Sequence, residues 1–404
     1  MTVAASDSTT VAFVFKRRYS DGQVAMVTQR DHPTYNLLSK VQGLGGSDFA
    51  YATVTGNPQG VANTIADAFT AVEVLKGEQF VATDVLKYGY VTLDGPSINR
   101  YRANNATFVN FITSHTDGVL ETLGDEVAFD VFRDGTGLRG RRASASGNTI
   151  TLTSAADVHN FRRGMTIIAA TGATGTGARV GSTKIMQIIR SAKKIVVADA
   201  SAIASFSDND YLFRLGQTST NGIQGMGACT PLVAPVSGTL FRNVDRANDT
   251  EALAGTRIDD TSVLPEDQIG DLAVQVSLIG KRLERAIVYP TVFQSIVKRL
   301  GAKVQYINPA GKARIGFQTI MLDAAGYTIE VVADPDIVPT EIRAFKNEAH
   351  NITYLGSSVV HLIRDDGNLP LRMGAADGIE YRARFQGNYL QPDQASHGIA
   401  TYQP

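Results

Sequence analysis

The segment that decides the fold runs from Asn104 to Gly137, NNATFVNFITSHTDGVLETLGDEVAFDVFRDGTG. Its apolar residues recur at spacings of four and seven, the period of one helix face. They are Phe108, Ile112, Val119, Leu123, Val127 and Val131. Asn104 and Asn105 are favourable N-cap residues, and Gly135 is a natural helix stop. The sequence therefore predicts one helix over about 105–134, roughly 40 Å long. Such a length is unusual in a globular protein and indicates a structural axis.

The segment after this helix, residues 138–216, differs from the rest of the chain in charge. It holds eleven Lys and Arg against four Asp, a net charge of +7, whereas the whole chain carries −1 and the remainder therefore −8. Short strand-like runs separated by turn residues fill the segment. The runs are Thr149–Leu152, Met165–Ile168, Ile185–Ile189, Ile195–Val197 and Tyr211–Phe213. This pattern predicts a small all-β domain, either a barrel or a sandwich, inserted between glycine-rich boundaries.

The residues before the helix show little core pattern of their own. Residues 1–47 mix short apolar runs such as Val11–Phe15 with glycine-rich breaks, which indicates an extended arm. Residues 48–95 carry strand-like alternation, as in Tyr88–Leu93, and favour a two-stranded excursion from the main body. We expect both segments to need neighbouring surfaces to stay ordered.

Helices and strands alternate after the insert, and strands dominate the last sixty residues. Pro265–Leu283 and Thr291–Leu300 are predicted helices, and Ala286–Tyr289 between them is a predicted buried strand. The long run Ile379–Leu390 is a predicted strand near the C-terminus. The fold class predicted from the whole pattern is α+β.

No motif in the chain indicates catalysis, and we predict that the protein is not an enzyme. The six histidines lie far apart without a zinc-binding spacing, and no Gly-x-Ser-x-Gly elbow occurs. Gly172–Gly181 is similar to a phosphate-binding loop but lacks the closing Gly-Lys-Ser/Thr, so we interpret it as a hairpin tip. Acidic pairs such as Asp259 and Asp260 are interpreted as solvated turn residues. No cofactor and no metal are expected.

Two further features limit the cellular setting. Cys229 is the single cysteine, which excludes an intrachain disulfide and a cysteine-based zinc site and favours folding in a reducing cytoplasm. The apolar runs are too short to span a membrane, and the first residues do not form a secretory signal.

Four arginines are candidate surface residues of the basic insert: Arg141, Arg142, Arg162 and Arg163. With Arg139, they could contact phosphates without reading bases. Aromatic residues are few in this segment, so no base-stacking platform is evident. An acidic neighbouring subunit, or a bland solvated surface, explains the charge at least as well.

The order of these segments resembles the Hong Kong ninety-seven type of tailed-phage major capsid protein, a fold that encapsulins share. Asp134–Gly137 resembles the family's helix exit, and Gly222–Met226 resembles the point where the main chain resumes. Val288–Phe293, followed by Lys298–Gly301, resembles the strand–proline–helix unit of the family's axial domain. Ile379–Leu390 resembles the last long strand of its peripheral domain. The insert is a departure from the common pattern and resembles the insertion domains of some phages.

The resemblance implies a division of the chain into domains. Its parts are an N-terminal arm (1–47), an extended loop over the adjacent subunit (48–95), a peripheral domain (96–137 and 345–404) with the spine helix, an insertion domain (138–216) and an axial domain (217–344). The structural residues implied for the spine helix are those of its apolar stripe, Phe108, Ile112, Val119, Leu123 and Val127. The family's inter-subunit cross-link is not expected, because Lys76 and Lys87 lie in the loop region without an identifiable partner asparagine.

The function implied by the resemblance is that of a shell subunit. It would assemble into pentamers and hexamers in the host cytoplasm and end in the virion, enclosing double-stranded DNA. Expected partners are copies of itself, a separate scaffolding protein, a portal protein at one vertex, DNA held non-specifically on the inner face, and a decoration protein. The insert would lie away from the DNA, against acidic neighbours or an acidic partner, and no large propeptide is expected.

Two other functions are alternatives for this sequence. One is the shell subunit of an encapsulin-like compartment, which shares the fold. The other is a secreted β-rich glycan-binding protein, which the absence of a signal segment and of tryptophan disfavours.

Overall fold

The computed structural model describes residues 31–43, 48–96, 105–217, 222–300, 320–364, 371–373 and 377–402, and the side chains of residues 105–114 lie outside that description. Its helices, in chain order, are α1 (Pro33–Leu37), α2 (Ile65–Thr70), α3 (Asn105–Val131), α4 (Met226–Cys229), α5 (Thr250–Ala254), α6 (Pro265–Leu278) and α7 (Pro290–Leu300). Its strands before the barrel are β1 (Ser39–Gln42), β2 (Asp48–Gly56), β3 (Lys76–Thr83) and β4 (Val85–Asp94). Those of the barrel are β5 (Leu138–Ser146), β6 (Thr149–Leu152), β7 (Thr166–Ala170), β8 (Thr183–Ile189), β9 (Lys194–Val197) and β10 (Tyr211–Arg214). The remaining strands are β11 (Leu240–Phe241), β12 (Val244–Asp245), β13 (Thr256–Ile258), β14 (Arg285–Val288), β15 (Ile320–Ala324), β16 (Tyr327–Ala333), β17 (Glu341–Phe345), β18 (Asn351–Tyr354), β19 (Val360–Leu362), β20 (Leu371–Arg372), β21 (Gly378–Leu390) and β22 (His397–Thr401).

The first large sheet is organised around β21. This strand pairs antiparallel with β4 over ten residues and, on its other side, with β18, β19 and β20. The short strand β1 joins parallel to β18. The helix α3 packs on this sheet, and its residue Val119 lies so close to Gly89 of β4 that a Cβ at position 89 would come within 2.5 Å of it. Glycine at 89 thus lets helix and sheet approach closely.

The second large sheet has the strand order β13-β22-β17-β14-β16-β15. Its strands are apolar and buried on the inner face, as in β14, where Ala286, Ile287 and Val288 are inaccessible to solvent. The helix α6 covers this sheet, and Leu272 packs where Gly398 of β22 leaves room for it. β22 lies between β13 and β17, so the last described strand of the chain joins the edge strand β13 to the rest of this sheet.

The insert is a closed six-stranded barrel with the order β10-β5-β6-β9-β8-β7. β10 pairs with both β5 and β7, and this double pairing closes the barrel. The burial of β6 and β9 alternates residue by residue, with Ile150 and Ile195 inside. The predicted α+β fold with an all-β insert is therefore confirmed, and the insert is a barrel and not a sandwich.

The hairpin β2–β3 projects from the two sheets and carries α2 within its connection. Its base is anchored: Phe80 is fully buried and stacks on Tyr51 at 5.1 Å between ring centroids. Its distal part, around α2, contains no buried residue. The sequence predicts a two-stranded excursion within 48–95, but the strand-like run Tyr88–Leu93 on which that prediction relied lies in β4 of the first sheet, and the hairpin is formed by β2 and β3.

The apolar interior falls into two main parts. The larger cluster joins the C-terminal half of α3 to both sheets and to α6, through residues such as Val127, Phe385, Ile287 and Leu272. The barrel has its own cluster, which includes Ile150, Phe161 and Leu212. The connection between the barrel and the rest of the molecule is consequently not a shared apolar core, and polar contacts carry much of it.

Some boundaries differ from the sequence prediction. β4 was assigned to the extended loop but is a full strand of the first sheet, so the projecting hairpin spans 48–83. β22 was assigned to the peripheral segment but lies in the second sheet. α6 ends at Leu278, five residues before the predicted end, where Gly280 adopts a left-handed conformation with φ of 76°. The division into named domains remains a prediction.

Candidate assembly site

The C-terminal half of α3 is buried on almost every side and carries three carboxylates, Asp125, Glu126 and Asp130. Their exposed fractions are 4%, 4% and 1%. An unpaired carboxylate at such a depth would cost several kcal/mol of desolvation. Each one is paired with a cation from a different part of the chain. This junction, defined by Asp125, Glu126, Asp130 and their partners, is called the helix junction below.

Glu126 binds the barrel to the helix. Its carboxylate accepts from the guanidinium group of Arg139 at the start of β5 and forms an ion pair with that of Arg214 at the end of β10, 2.6 Å away. Arg139 is 2% exposed; it also donates to the Asn160 carbonyl at 3.0 Å and to Gln217 Oε1 at 3.1 Å. Burial alone would raise the pKa of Glu126, but Arg139, Arg214 and Lys87 together hold it below its usual value. Glu126 is therefore ionised where both ends of the insert meet the helix.

Asp125 binds the barrel and the beginning of the described chain. Its carboxylate pairs with Arg162 of the barrel and lies 2.6 Å from Nε2 of His32. The other ring nitrogen of His32 contacts Asp336, in the turn after β16. Burial and the nearby Asp336 carboxylate raise the pKa of Asp334 in the same turn. The segment around His32 is thus held between α3 and the second sheet.

Asp130 binds β4 and the chain that returns from the barrel. Nζ of Lys87 lies 2.5 Å from Asp130 Oδ2, and the backbone N–H of Ile223 donates to the same oxygen at 3.2 Å. The helix exit next to it needs two glycines. Gly135 has φ of 93°, and a Cβ at Gly225 would lie 2.1 Å from the Val131 carbonyl oxygen. The helix end, β4 and the returning chain are therefore fixed together.

The predicted apolar stripe of α3 is placed as follows. Val127 is fully buried, Leu123 is buried and Val119 is half-buried against the core. The side chains of Phe108 and Ile112 lie outside the described residues. The structural role assigned to this stripe stays a prediction for those two positions.

The four candidate arginines of the insert do not form one surface. Arg162 is turned to Asp125 in the helix junction. Arg142 pairs with Asp208 at 3.2 Å and donates to the Phe206 carbonyl, both within the barrel. Arg141 is exposed; it donates to the Asn209 carbonyl and lies over the Tyr211 ring. Arg163 is exposed. Pattern alone could not separate these roles, because the partners are far away in sequence.

The two lysines considered for a cross-link are both engaged. Lys87 is in the helix junction with 9% of its side chain exposed. Lys76, at the start of β3, pairs with Glu73 at 2.9 Å, and both side chains are exposed. The absence of a cross-link stays a prediction.

The second candidate surface is the distal part of the β2–β3 hairpin. Large apolar side chains are exposed here in a single stretch of sequence. They are Val61 (88%), Ile65 (90%), Phe69 (80%), Val72 (62%), Val74 (72%) and Leu75 (58%). A soluble monomer rarely exposes such a concentration of apolar residues, which usually marks an interface. These six residues are called the hairpin tip.

A site for other chemistry is not evident in the described parts of the chain. No group of three or more His, Cys, Asp or Glu side chains among the described residues could hold a metal ion. Cys229 is buried, and burial raises the pKa of its thiol. Among the described helices, none combines the length and apolar character that crossing a membrane requires.

The architecture of this chain is similar to that of proteins of known structure. No protein-family model matches the chain, and no curated protein sequence matches it significantly. Among solved structures, the chain is similar over nearly its whole length to a cyanophage capsid protein, and this likeness shows the Hong Kong ninety-seven type of capsid fold. The particular structure that shows this is the cyanophage A-1(L) capsid asymmetric unit, at a TM-score of 0.55 and 10% identity over 95% of this chain and 96% of that chain.

Two other solved structures give weaker matches. The SrpI encapsulin complex from Synechococcus elongatus PCC 7942 has a TM-score of 0.46 and 9% identity over 99% of this chain and 96% of that chain. Mycobacterium phage Adephagia has a TM-score of 0.43 and 10% identity over 99% of each chain.

Proposed function

We propose that this chain is the major capsid protein of a tailed bacteriophage, a structural subunit of the icosahedral head and not an enzyme. The observation that carries the proposal is the capsid fold combined with the hairpin tip. The fold supplies a rigid body around α3, and the tip presents six exposed apolar side chains on a projecting arm. Such a tip gains its burial when a second copy covers it.

The rigidity of the body follows from the helix junction. In one short stretch of α3, carboxylates tie together the segment at His32, the strand β4 and the barrel. Since each of these ion pairs is buried, moving one of the parts would leave a buried charge without its partner, which is costly. A shell subunit needs this stiffness, because its contacts must repeat at fixed angles to close rings of five and six.

The proposed partners follow from this role. Copies of the chain form pentamers and hexamers, a separate scaffolding protein guides their assembly in the bacterial cytoplasm, and a portal protein occupies one vertex. Double-stranded DNA lies against the inner face without sequence-specific contacts, and the finished subunit is part of the virion. A decoration protein on the outer face is a further proposed partner.

Electron microscopy of the purified chain tests the proposal. We expect closed shells by negative staining, with the chain alone or co-expressed with a scaffolding protein. An unassembled monomer under all such conditions would contradict the proposal. Particles from infected cells that protect long double-stranded DNA from nuclease would support the phage head, whereas particles filled with a protein cargo would identify an encapsulin-like compartment instead.

A further inference from the structure

The charge of the barrel is unevenly distributed over its surface. Five of its eleven basic residues form ion pairs. Three of these, Arg139, Arg162 and Arg214, pair with α3, and two, Arg142 and Arg179, pair with aspartates of the barrel itself. These pairs use two of the barrel's four aspartates, Asp208 and Asp210. Whatever positive charge remains must face solvent or another molecule.

The remaining charge is concentrated on one hairpin. β8, β9 and their turn, Thr183–Val197, contain Lys184, Arg190, Lys193 and Lys194 and no acidic residue. Lys184, Arg190 and Lys193 are exposed, and no carboxylate among the described residues pairs with any of the four. Arg163 lies near Lys184 at the start of β8, since the next residue, Gly164, donates to the Ile185 carbonyl at 2.8 Å. These five cations are called the basic hairpin.

A second segment has the opposite charge. From Asp249 to Asp271 the chain contains seven acidic residues and one basic residue, so this segment accounts for −6 of the −8 outside the insert. Its arginine, Arg257, donates to the carbonyls of Ala254 and Gly255. Asp267 and Asp271 lie one turn apart on the exposed side of α6, without a basic partner among the described residues. This stretch is called the acidic segment.

Both surfaces have the composition of an interface. Next to its cations the basic hairpin exposes Met186 (49%), and beyond Asp271 the same side of α6 exposes Val274 (44%) and Leu278 (76%). Apolar side chains surrounded by charged ones are typical of specific protein contacts. Phosphates of a nucleic acid would satisfy the cations but would leave Met186 without an apolar partner.

We propose that the basic hairpin of one subunit binds the acidic segment of a second copy of this chain, an inference that rests on the proposed capsid function. Glu266 in the acidic segment is already paired with Arg299 at 2.8 Å, so the two surfaces carry about five positive and five negative charges. No ion pair within the described residues joins them in one chain. A contact between different faces of two copies is heterologous, as the rings of a shell require. The helix junction holds the barrel in one orientation, so it presents its hairpin to the neighbour at a fixed angle.

The test is a charge swap in the full chain. Arg190→Glu/Lys193→Glu should raise the critical concentration for shell assembly by roughly tenfold, because two attractive pairs become repulsive. Asp267→Lys/Asp271→Lys should have a similar effect. The chain carrying all four substitutions should assemble within about twofold of the parent chain, because the attraction is restored with its signs exchanged. Lys298→Glu, an exposed lysine on α7, is the control and should assemble as the parent does.

Three results would overturn this inference. They are normal assembly of both double variants, failure of the combined variant to recover, and loss of DNA retention with unchanged assembly in Arg190→Glu/Lys193→Glu. Circular dichroism checks the folding of each variant, and the neutral pairs Arg190→Gln/Lys193→Gln and Asp267→Asn/Asp271→Asn replace the corresponding reversed variant if it does not fold. If the parent chain itself forms no shells, the proposed function fails, whereas parent shells with unaffected variants reject only this contact.

Discussion

Arg139 is a charged side chain that is buried where the barrel meets α3. It is 2% exposed, pairs with Glu126 and lies over the Phe129 ring at 4.1 Å. Its position at the first strand of the insert means that the join between barrel and helix includes a buried ion pair, and Asn160 and Gln217 supply further hydrogen-bond partners to the same arginine. Such a pair is not a large net source of stability, but it is costly to break, because the remaining partner stays buried and charged.

Replacing this arginine tests that reasoning. Arg139→Met should lower the free energy of unfolding by about 3 kcal/mol or more, because Glu126 then keeps Arg214 and loses its most buried partner. Urea unfolding followed by circular dichroism measures the change. Arg282→Met, at an exposed arginine, is the matched control and should stay within about 0.5 kcal/mol of the parent. Equal unfolding midpoints for the two variants would contradict the role assigned to Arg139.

Two buried histidines give the stability of the monomer a pH dependence. His350 Nδ1 and His397 Nε2 lie 3.0 Å apart, where the chain joins the two large sheets, and the Tyr389 hydroxyl and Phe345 ring surround them. Burial lowers the pKa of His397 to about 4 and that of His350 well below its usual value. Arg343 further lowers the pKa of His397, whereas Asp393 opposes the shift.

The sign of the effect follows from proton binding. Between about pH 6.5 and pH 4 the unfolded chain binds protons at His397 that the folded chain does not, so stability falls as the pH falls through this range. The loss at His397 should reach about 2 kcal/mol at pH 5 and approach about 3 kcal/mol at pH 4, at roughly 1.4 kcal/mol per pKa unit. Urea unfolding at pH 7, 6, 5 and 4 measures it. His397→Gln should flatten the pH dependence and His361→Gln should not; a slope unchanged in His397→Gln would reject the assignment.

The long helix is the element that the sequence predicts best, and its limits show why. The predicted range of about 105–134 agrees with Asn105–Val131 because apolar periodicity is a local property. The burial of Asp125, Glu126 and Asp130 on the same helix was not predicted, since their partners include His32, Arg214 and Lys87, at least 43 residues away in sequence. The barrel strands were found for the same local reason. The place of β22 in the second sheet depends on distant pairing and was missed.

Although the insert has an apolar core of its own, we expect the rest of the molecule to depend on its presence. Deleting residues 138–216 removes Arg139, Arg162 and Arg214 and leaves Asp125 and Glu126 buried with fewer cations. We expect the deletion to abolish soluble expression or to lower the melting temperature by more than about 10 °C. The same deletion with Asp125→Asn and Glu126→Met should recover much of the loss. Equal stability of the deletion with and without these two substitutions would show that ion pairing is not the reason.

The β2–β3 hairpin makes a different prediction, since its tip contributes little to the isolated fold. Ile65→Ser/Phe69→Ser should leave the free energy of unfolding of the monomer within about 0.5 kcal/mol of that of the parent, because both side chains are at least 80% exposed. Shell formation, measured by light scattering, should fall strongly, since the interface loses two large apolar groups. Val233→Ser/Leu240→Ser, at exposed apolar positions elsewhere, is the control. Normal assembly of the tip variant would contradict the proposed role of the hairpin.

At the scale of the whole molecule, we expect some segments to be stably folded in a single copy and others to become stable only when several copies assemble. The two sheets, the end of α3 and the barrel have buried cores, whereas the hairpin tip has none. Hydrogen exchange should therefore be fast for residues 61–75 in the monomer and at least about tenfold slower in shells. The barrel core strands should exchange slowly in both states. Equally strong protection of the tip in the monomer would contradict a division of this kind.

The position of β22 has a consequence for synthesis on the ribosome. Residues 256–258 and 341–345 leave the exit tunnel well before 397–401, yet they become neighbours only through that last strand. Until β22 is made, the growing polypeptide cannot complete the second large sheet. The edges of β13 and β17 that β22 will cover stay open in that time, and open strand edges favour premature association. Emergence of residues 397–401 from the tunnel is then the step that joins residues 256–258 to the rest of this sheet and removes those open edges.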